Sequence, residues 1–308
     1  MAPLIQWYPG HIAKAEKQLL EQLKLVDVVL EVRDARIIAS SQHPKMPIWT
    51  NGKAHLVICN RVDMIPEAWR SRWQNWFQTH DQAAYFTDAQ SGKGISEVMK
   101  ATQIAGEHIN QRRKSRGMLP RPVRAVVIGF PNVGKSALIN RLLNKRVVTS
   151  ANRPGVTRQL RWVRISEKIE LLDTPGVIPP LLNDQDAALR LAICDDIGQA
   201  SYDAVLVAAA MLDLFNAKGI SYQDRYHLDV SLAPTGIDYI HQLAQTKTYQ
   251  GDQERVARQI LHDFRKGRLG CIALESPPSP DGAGRNSLET NLATPINSSA
   301  TPETTPHL

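Results

Sequence analysis

The chain has 308 residues, of which 43% are hydrophobic and 22% are charged, and its formal net charge is +7. This length accommodates two domains, and the composition is that of a globular protein rather than a disordered or fibrous one. No apolar run is long enough to span a bilayer, the N-terminus does not resemble a signal or transit peptide, and the three cysteines are isolated. We therefore expect a cytoplasmic protein with no membrane contact and no disulfides.

The charge is distributed unevenly along the chain. From Glu275 onward there are four acidic residues and one arginine, so the rest of the chain carries +10. A basic body favours an anionic partner such as nucleic acid. The segment 275–308 is rich in Pro, Ser and Thr and has little to bury, which predicts a disordered tail.

Hydrophobic periodicity predicts alternating helices and strands over the first 178 residues. In chain order we expect a helix over 12–24, strands over 25–34, 55–59 and 83–87, a helix over 95–110, a strand over 124–128, a helix over 135–143, and strands over 162–165 and 169–172. Such alternation is typical of a three-layer α/β domain with a mostly parallel sheet. Helical patterns over 186–200, 202–215, 236–246 and 252–266 then predict a small all-helical domain over 179–274.

The most specific motif is Gly129-Phe-Pro-Asn-Val-Gly-Lys-Ser136, which matches G-x-x-x-x-G-K-[ST] between a predicted strand and a predicted helix. In such a P-loop, backbone N–H groups and the helix N-terminus surround phosphates. We expect Lys135 to contact the β- and γ-phosphates and Ser136 to bind Mg²⁺. A glycine-rich structural turn is the alternative. The residues predicted to line the nucleotide here are Asn132, Val133, Gly134, Lys135, Ser136 and Ala137.

The segment Asn60-Arg-Val-Asp63 follows the second predicted strand and resembles the N-K-x-D guanine motif. In that motif the aspartate accepts hydrogen bonds from N1–H and the exocyclic N2–H of guanine. Adenine lacks this pair of donors, so Asp63 would favour GTP over ATP. Arg61 replaces the usual lysine, and a guanidinium can also stack on a purine. Loop capping by Asn60 and Asp63 is the alternative.

A second, weaker guanine loop is predicted at Thr87, Asp88 and Ala89, after the third strand. Asp173-Thr-Pro-Gly176 fits the D-x-x-G switch motif, in which Asp173 would hold Mg²⁺ through water and the Gly176 N–H would meet the γ-phosphate. Thr157 lies between the P-loop and this motif, where the Mg²⁺-binding switch threonine belongs.

The order of the motifs is unusual. Guanine motifs at 60–63 and 87–89 precede phosphate motifs at 129–136, 157 and 173–176, whereas an ordinary G domain has the phosphate motifs first. If the P-loop, the switch threonine and D-x-x-G are numbered G1 to G3 and the two guanine motifs G4 and G5, the order here is G4-G5-G1-G2-G3. This order indicates a circularly permuted P-loop G domain over 1–178.

This arrangement, together with Trp7-Tyr-Pro-Gly-His-Ile-Ala-Lys14 and Asp34-Ala-Arg36, resembles the YlqF/RbgA family of ribosome-biogenesis GTPases over about residues 5–270. The resemblance implies a GTPase whose helical C-terminal domain helps to engage the large ribosomal subunit, its rRNA and its proteins, late in assembly. The chain departs from the family pattern at Arg61, at residues 87–89, after Asp34-Ala-Arg36, and in its acidic tail.

The residue that orients the attacking water is not the usual glutamine, because Val177 follows Gly176. In the permuted order the segment before the helix 12–24 should fold back beside Val177. We therefore expect His11 to orient the water, and Lys135 and Thr157 to take part in hydrolysis with it. The alternative is that His11 caps the helix or packs with Trp7 and Tyr8.

Two further expectations concern ligands. Asn132 matches the asparagine that holds K⁺ in potassium-stimulated GTPases, with a structural turn as the alternative. The basic helix 252–266 carries cations suited to rRNA phosphates, although a solvated face is the alternative. We expect a monomer. A GTPase acting on tRNA, or a nucleotide-gated RNA-binding module with little turnover, remain alternative functions.

Overall fold

The computed structural model describes residues 12–143, 161–173, 184–228 and 234–278, and Met1–Ser276 form one compact unit. The helices within these ranges are too short or too polar to cross a bilayer. The predicted division between residues 178 and 179 stays a prediction, because the regions on both sides of it belong to the same compact unit.

The strands within the described ranges form one six-stranded sheet. They are β1 (Val28–Asp34), β2 (Ala54–Asn60), β3 (Ala84–Thr87), β4 (Val123–Ile128), β5 (Arg161–Arg164) and β6 (Ile169–Asp173). Their order across the sheet is β3-β2-β1-β4-β6-β5. All neighbours are parallel except β5 and β6. The predicted, mostly parallel α/β sheet is therefore confirmed.

Helices cover both faces of this sheet and continue beyond it. In the first part of the chain these are α1 (Ile12–Leu23), α2 (Met46–Trp49), α3 (Glu67–Thr79), α4 (Ile95–Ser115) and α5 (Lys135–Leu142). After the sheet follow α6 (Gln185–Cys194), α7 (Ala204–Ala217), α8 (Gln223–Tyr226), α9 (Gly236–Ala244) and α10 (Gln253–Arg265).

The strand side chains alternate between two apolar layers, as the period of two in a strand requires. In β1, Leu30 and Val32 join the core that α4 and α5 cover, whereas Val29 packs with Leu19 and Leu23 of α1 on the opposite face. Every residue of β1 is buried, and its charged residues Glu31 and Asp34 form ion pairs with Arg33 and Arg36. The result is the predicted three-layer arrangement.

The helical region shares its apolar core with the sheet. The cluster beneath α4 and α5 continues without a break into α6, α7, α9 and α10. Phe215 of α7 packs on Phe264 of α10, with ring centroids 5.9 Å apart. At the N-termini of α6, α7, α9 and α10, an aspartate or threonine side chain accepts a hydrogen bond from a backbone N–H group, as N-cap residues do.

Several boundaries differ from those that the sequence predicts. Helix α6 ends at Cys194, and not near residue 200, because Asp195 adopts a left-handed φ of 68° that ends the helix. Helix α3 is absent from the predicted elements, since only Trp73 and Phe77 of its residues are buried and its apolar pattern is weak. Helix α4 runs on to Ser115. Glu275, assigned to the tail, is buried and accepts a hydrogen bond from the Ala39 N–H at 2.8 Å.

Candidate nucleotide-binding site

The P-loop forms the connection between β4, which ends at Ile128, and α5, which begins at Lys135. Its two motif glycines are required by close contacts. A Cβ at Gly129 would collide with the backbone oxygen of Val32, and one at Gly134 would collide with the Asn60 amide. Gly134 also has a left-handed φ of 103°, which a side chain would strain. The strand–loop–helix context that the motif predicts is therefore present.

The two side chains predicted to act on phosphate and Mg²⁺, Lys135 and Ser136, begin α5. Lys135 is buried, and its Nζ donates to the carbonyl oxygens of Gly129 at 3.2 Å and Phe130 at 2.8 Å. These bonds hold the ammonium group against the concave backbone of the loop. Ser136, the second residue of α5, is partly exposed. Ala137 follows it in the first turn, so all three residues lie at the N-terminus of α5.

Asn60 joins the guanine motif to the P-loop. It ends β2, is 3% exposed, and its Nδ2 donates to the Val133 carbonyl at 2.9 Å. Its Oδ1 accepts from the Thr87 hydroxyl at 3.2 Å and from the Ala89 N–H at 3.1 Å. One amide therefore connects three loops that are far apart in the sequence. The weak motif at residues 87–89 does lie beside the guanine motif, and the loop-capping alternative for Asn60 understates its role.

Arg61 makes contacts that the sequence does not predict. Its φ is 67°, its Nη2 donates to the Asn132 carbonyl at 2.6 Å, and its Nη1 lies 3.6 Å from Oδ2 of the buried Asp34. The guanidinium thus bridges the P-loop and the end of β1, a role distinct from stacking on a purine.

Asp63 presents a carboxylate beside the second guanine loop. It lies in a single 3₁₀ turn over Val62–Met64, and its side chain is exposed. Partial burial of the carboxyl and the nearby Asp88 carboxylate raise the pKa of Asp63. Burial also opposes ionisation of Asp88, but hydrogen bonds from Ser91 and Gln90 outweigh it and lower the pKa of Asp88.

Asn132 contacts the helical region directly. Its backbone is left-handed, with φ 57°, and its Nδ2 donates to the carbonyl oxygen of Asp195 at 2.7 Å. Asp195 directly follows α6, so the P-loop bonds to the C-terminal end of that helix. The final carbonyls of a helix have no partner within it. Asn132 supplies one of those partners here.

Other side chains satisfy the neighbouring carbonyls of α6. Arg265 of α10 donates to the oxygens of Ala192 at 2.7 Å and Ile193 at 2.9 Å. Arg36 donates to that of Cys194 at 3.3 Å. The end of α6 is therefore held from α10, from the loop after β1 and from the P-loop.

A buried charge cluster lies beneath this contact. Arg36 binds Asp34 through Nε at 2.9 Å and Nη2 at 2.7 Å, and its guanidinium lies 5.2 Å from the Phe264 ring centroid. Burial opposes ionisation of Asp34, but the Arg36 charge and hydrogen bonds lower its pKa. Neither oxygen of Asp196 accepts a hydrogen bond from a described residue, and burial together with the Asp34 charge raises the pKa of Asp196.

Part of the predicted site lies outside the described residues, namely His11, Thr157, Gly176 and Val177. Asp173 is described as the last residue of β6, in register with Val127 of β4. This register brings the start of the D-x-x-G motif to the same edge of the sheet as the P-loop.

The residues that connect this site to the helical region were not predicted from the sequence. Asp195, Arg265 and Arg36 have no motif that marks them as partners of the P-loop. The available signal was Asp34-Ala-Arg36 itself, because two opposite charges at the end of a buried strand are rarely left unpaired in a core.

Comparisons with known proteins agree with this geometry. Residues 124–236 match the family described as 50S ribosome-binding GTPase. Ribosome biogenesis GTPase A of Bacillus licheniformis is 37% identical over 282 residues, covering 89% of this chain and 99% of the relative. The protein of that name from Bacillus cereus is 33% identical, covering 89% and 94%. The structure of GNP-bound YlqF from T. maritima has the same fold, with a TM-score of 0.62 at 22% identity over 86% of this chain and 98% of that one.

Replacement of Asp63 by asparagine is expected to change the base preference of the site. An amide offers one donor and one acceptor, which suit the 2-oxo group and N1–H of xanthine, whereas guanine presents two donors. We expect the Asp63→Asn variant to lose about 10²-fold or more in affinity for guanosine nucleotides and to gain affinity for xanthosine nucleotides. Competition titrations with a fluorescent nucleotide measure both. Asp81→Asn, at an exposed carboxylate, is the matched control. An unchanged guanine preference in Asp63→Asn would contradict the assignment.

Proposed function

The chain belongs to the ribosome biogenesis GTPase A family, the YlqF/RbgA family, and on that premise we propose that its GTP hydrolysis serves late assembly of the large ribosomal subunit. Hydrolysis of GTP to GDP and phosphate follows from the family. The single observation that supports the proposal best is the Asn60 amide, which unites guanine and phosphate loops in one site. The protein is proposed to act in the cytoplasm as a monomer.

The described residues suit GTP and Mg²⁺. The backbone of residues 132–137 surrounds the phosphates, Lys135 neutralises them, and Asn60, Asp63 and the loop 87–89 hold the base. The Ser136 hydroxyl at the start of α5 and the position of Asp173 opposite Val127 fit a Mg²⁺ ion, with Thr157 as a further ligand. When bound, Mg²⁺ neutralises charge on the β- and γ-phosphate oxygens.

A K⁺ ion fits the geometry of Asn132. The Asn132 Nδ2 is engaged by the Asp195 carbonyl, which fixes the orientation of the amide and leaves Oδ1 as the atom that accepts or coordinates. Amide oxygens are suitable ligands for a hard monovalent cation. We propose that Asn132 holds K⁺ beside the phosphates.

The helical region, which the sequence predicts as a domain over 179–274, is proposed to contact rRNA. Among the cations of α10 and the turn after it, Arg265 and Arg268 bond to neighbouring groups of the fold. Arg258 is exposed but forms an ion pair with Glu254 at 2.6 Å, so the exposed Arg255 and Lys266 are the better candidates for phosphate contacts.

The proposed function is tested by GTP turnover with purified ribosomal particles. Intrinsic hydrolysis in GTPases that lack a complete catalytic set can be up to about 10⁵-fold below the stimulated rate. We expect large subunits to raise turnover by more than about tenfold, and small subunits or tRNA to have little effect. Stimulation by tRNA alone would favour a tRNA-related GTPase. Turnover that no particle stimulates, with nucleotide-dependent RNA binding, would favour an RNA-binding module.

His11→Ala is expected to abolish the stimulated hydrolysis and to leave GTP affinity nearly unchanged. The proposal that His11 orients the attacking water rests on the permuted order, from which we expect the segment before α1 to lie beside Val177. Single-turnover hydrolysis on large subunits gives the rate, and a fluorescence titration gives the affinity. His80→Ala, at an exposed histidine of the same chain, is the control. Normal turnover in His11→Ala would remove His11 from the mechanism.

Replacement of Na⁺ by K⁺ is expected to accelerate hydrolysis in the unmodified chain and not in Asn132→Ala. The reason is that the variant lacks the amide oxygen that would hold the cation. Initial rates at constant ionic strength measure the effect, with Asn140→Ala in α5 as a control outside the loop. Equal rates in both salts for the unmodified chain would show that K⁺ has no role.

A further inference from the structure

The connection between α4 and β4 carries an excess of positive charge. This basic connector, residues 112–121, contains five cations and no carboxylate, namely Arg112, Arg113, Lys114, Arg116 and Arg121. It is the segment that joins the second guanine loop and its helix to the P-loop strand, and so exists only because the motif order is permuted. Neither the nucleotide site nor the contact with α6 uses it.

The basic connector is ordered, since residues 112–115 form the last turn of α4 and residues 116–121 a hydrogen-bonded segment after it. Asn110 and Arg121 exchange two hydrogen bonds, Nδ2 to the Arg121 carbonyl at 3.0 Å and the Arg121 N–H to Oδ1 at 3.1 Å. The Met118 N–H donates to the Arg113 carbonyl at 2.9 Å, and Arg113 Nε donates to the Leu119 carbonyl at 3.0 Å. A segment fixed in this way loses little conformational freedom when it binds a partner.

The structure divides the five cations into two groups. Arg121 forms a two-pronged ion pair with Asp27, at 2.7 and 2.8 Å, and Arg113 bonds to the turn itself. These two arginines hold the connector in place. By contrast, Arg112, Lys114 and Arg116 are exposed, and none of the three forms an ion pair with a described residue. Their charges are therefore available to a partner.

Apolar side chains accompany these free cations. Leu119 is 83% exposed and Met118 is 39% exposed, both within the same turn. Cations beside exposed apolar groups match a polyanion that also presents sugars and base faces, which is the chemistry of RNA.

The position of the connector keeps it away from the nucleotide. It leads into the N-terminal end of β4, whereas the P-loop and the guanine motif follow the C-terminal ends of β4 and β2. In a parallel sheet these are opposite edges, so a partner on the connector leaves the nucleotide site open.

We propose that the basic connector is an RNA-docking surface, on which Arg112, Lys114 and Arg116 contact the phosphate backbone. That the bound RNA is rRNA rests on the proposed ribosomal function, whereas RNA binding by the connector does not. It gives the G domain an RNA contact of its own, independent of α10.

The test compares the full chain with a triple variant, Arg112→Gln, Lys114→Gln and Arg116→Gln. The probe is a fluorescein-labelled RNA hairpin, titrated at several salt concentrations. Three lost phosphate contacts should lower affinity by about tenfold to a hundredfold near physiological salt, and should reduce the slope of log K against log [salt] by about 2 to 3. GTP affinity and melting temperature should be unchanged.

A second triple variant removes the same charge elsewhere, by Arg70→Gln, Arg72→Gln and Lys218→Gln on α3 and after α7. It should bind RNA nearly as the unmodified chain does. Arg121→Gln, in contrast, should lower the melting temperature because Asp27 loses its partner. Equal RNA affinity and equal salt slopes in the two triple variants would overturn the proposal. Binding of the connector to phosphatidylserine vesicles, with no effect of the triple variant on RNA, would overturn it as well.

Failure of this inference and failure of the proposed function give different results. If the connector binds no RNA, large subunits still stimulate turnover of the unmodified chain. If the ribosomal function is wrong, large subunits do not stimulate turnover, yet the triple variant still loses affinity for the hairpin.

Discussion

The side chain amide of Asn60 is the contact on which the nucleotide site depends. It is almost fully buried, and each of its polar atoms bonds to a different loop, the P-loop at Val133 and the second guanine loop at Thr87 and Ala89. Each of these hydrogen bonds contributes about 1 kcal/mol to stability. Removal of one partner costs more, because it leaves a buried polar group without a hydrogen bond. Gly134 has no side chain because the same amide occupies the space. The predicted base-recognition and phosphate-binding loops therefore share one fixed point, although residue 60 precedes the P-loop by some 70 positions.

The end of α6 extends this fixed point into the helical region. Its carbonyls accept from Arg265, Arg36 and Asn132, so a helix terminus with partial negative charge faces cationic and amide donors. Arg61 adds a link, since it bonds to the Asn132 carbonyl and lies near Asp34. A displacement of the P-loop backbone would thus strain contacts to α6 at once. This non-covalent route joins the P-loop to the helices independently of the chain that leads from the D-x-x-G motif.

The sequence was most informative where chemistry depends on local spacing. The parallel strands, the P-loop between β4 and α5, and the guanine motif after β2 all follow from residues within one short segment. Three features did not follow. The end of α6 depends on a left-handed Asp195, Arg265 turns inward to the carbonyls of Ala192 and Ile193, and Glu275 is buried against the loop after β1. In each case the partner is distant in sequence, and the residue type alone favours solvent.

The segment that follows α10 returns to the sheet and holds the helical region against it. The Ile272 N–H donates to the Met64 carbonyl, one residue after Asp63, and the Leu274 N–H donates to the Arg36 carbonyl, both at 2.9 Å. The helical region is therefore held beside the guanine motif at its end and beside the P-loop at the terminus of α6. Two anchors on different loops of one nucleotide site restrict how the helices can move, because a rotation about either anchor breaks the other. A change in the distance between the predicted base and phosphate loops would therefore strain the contacts that hold the helices in place.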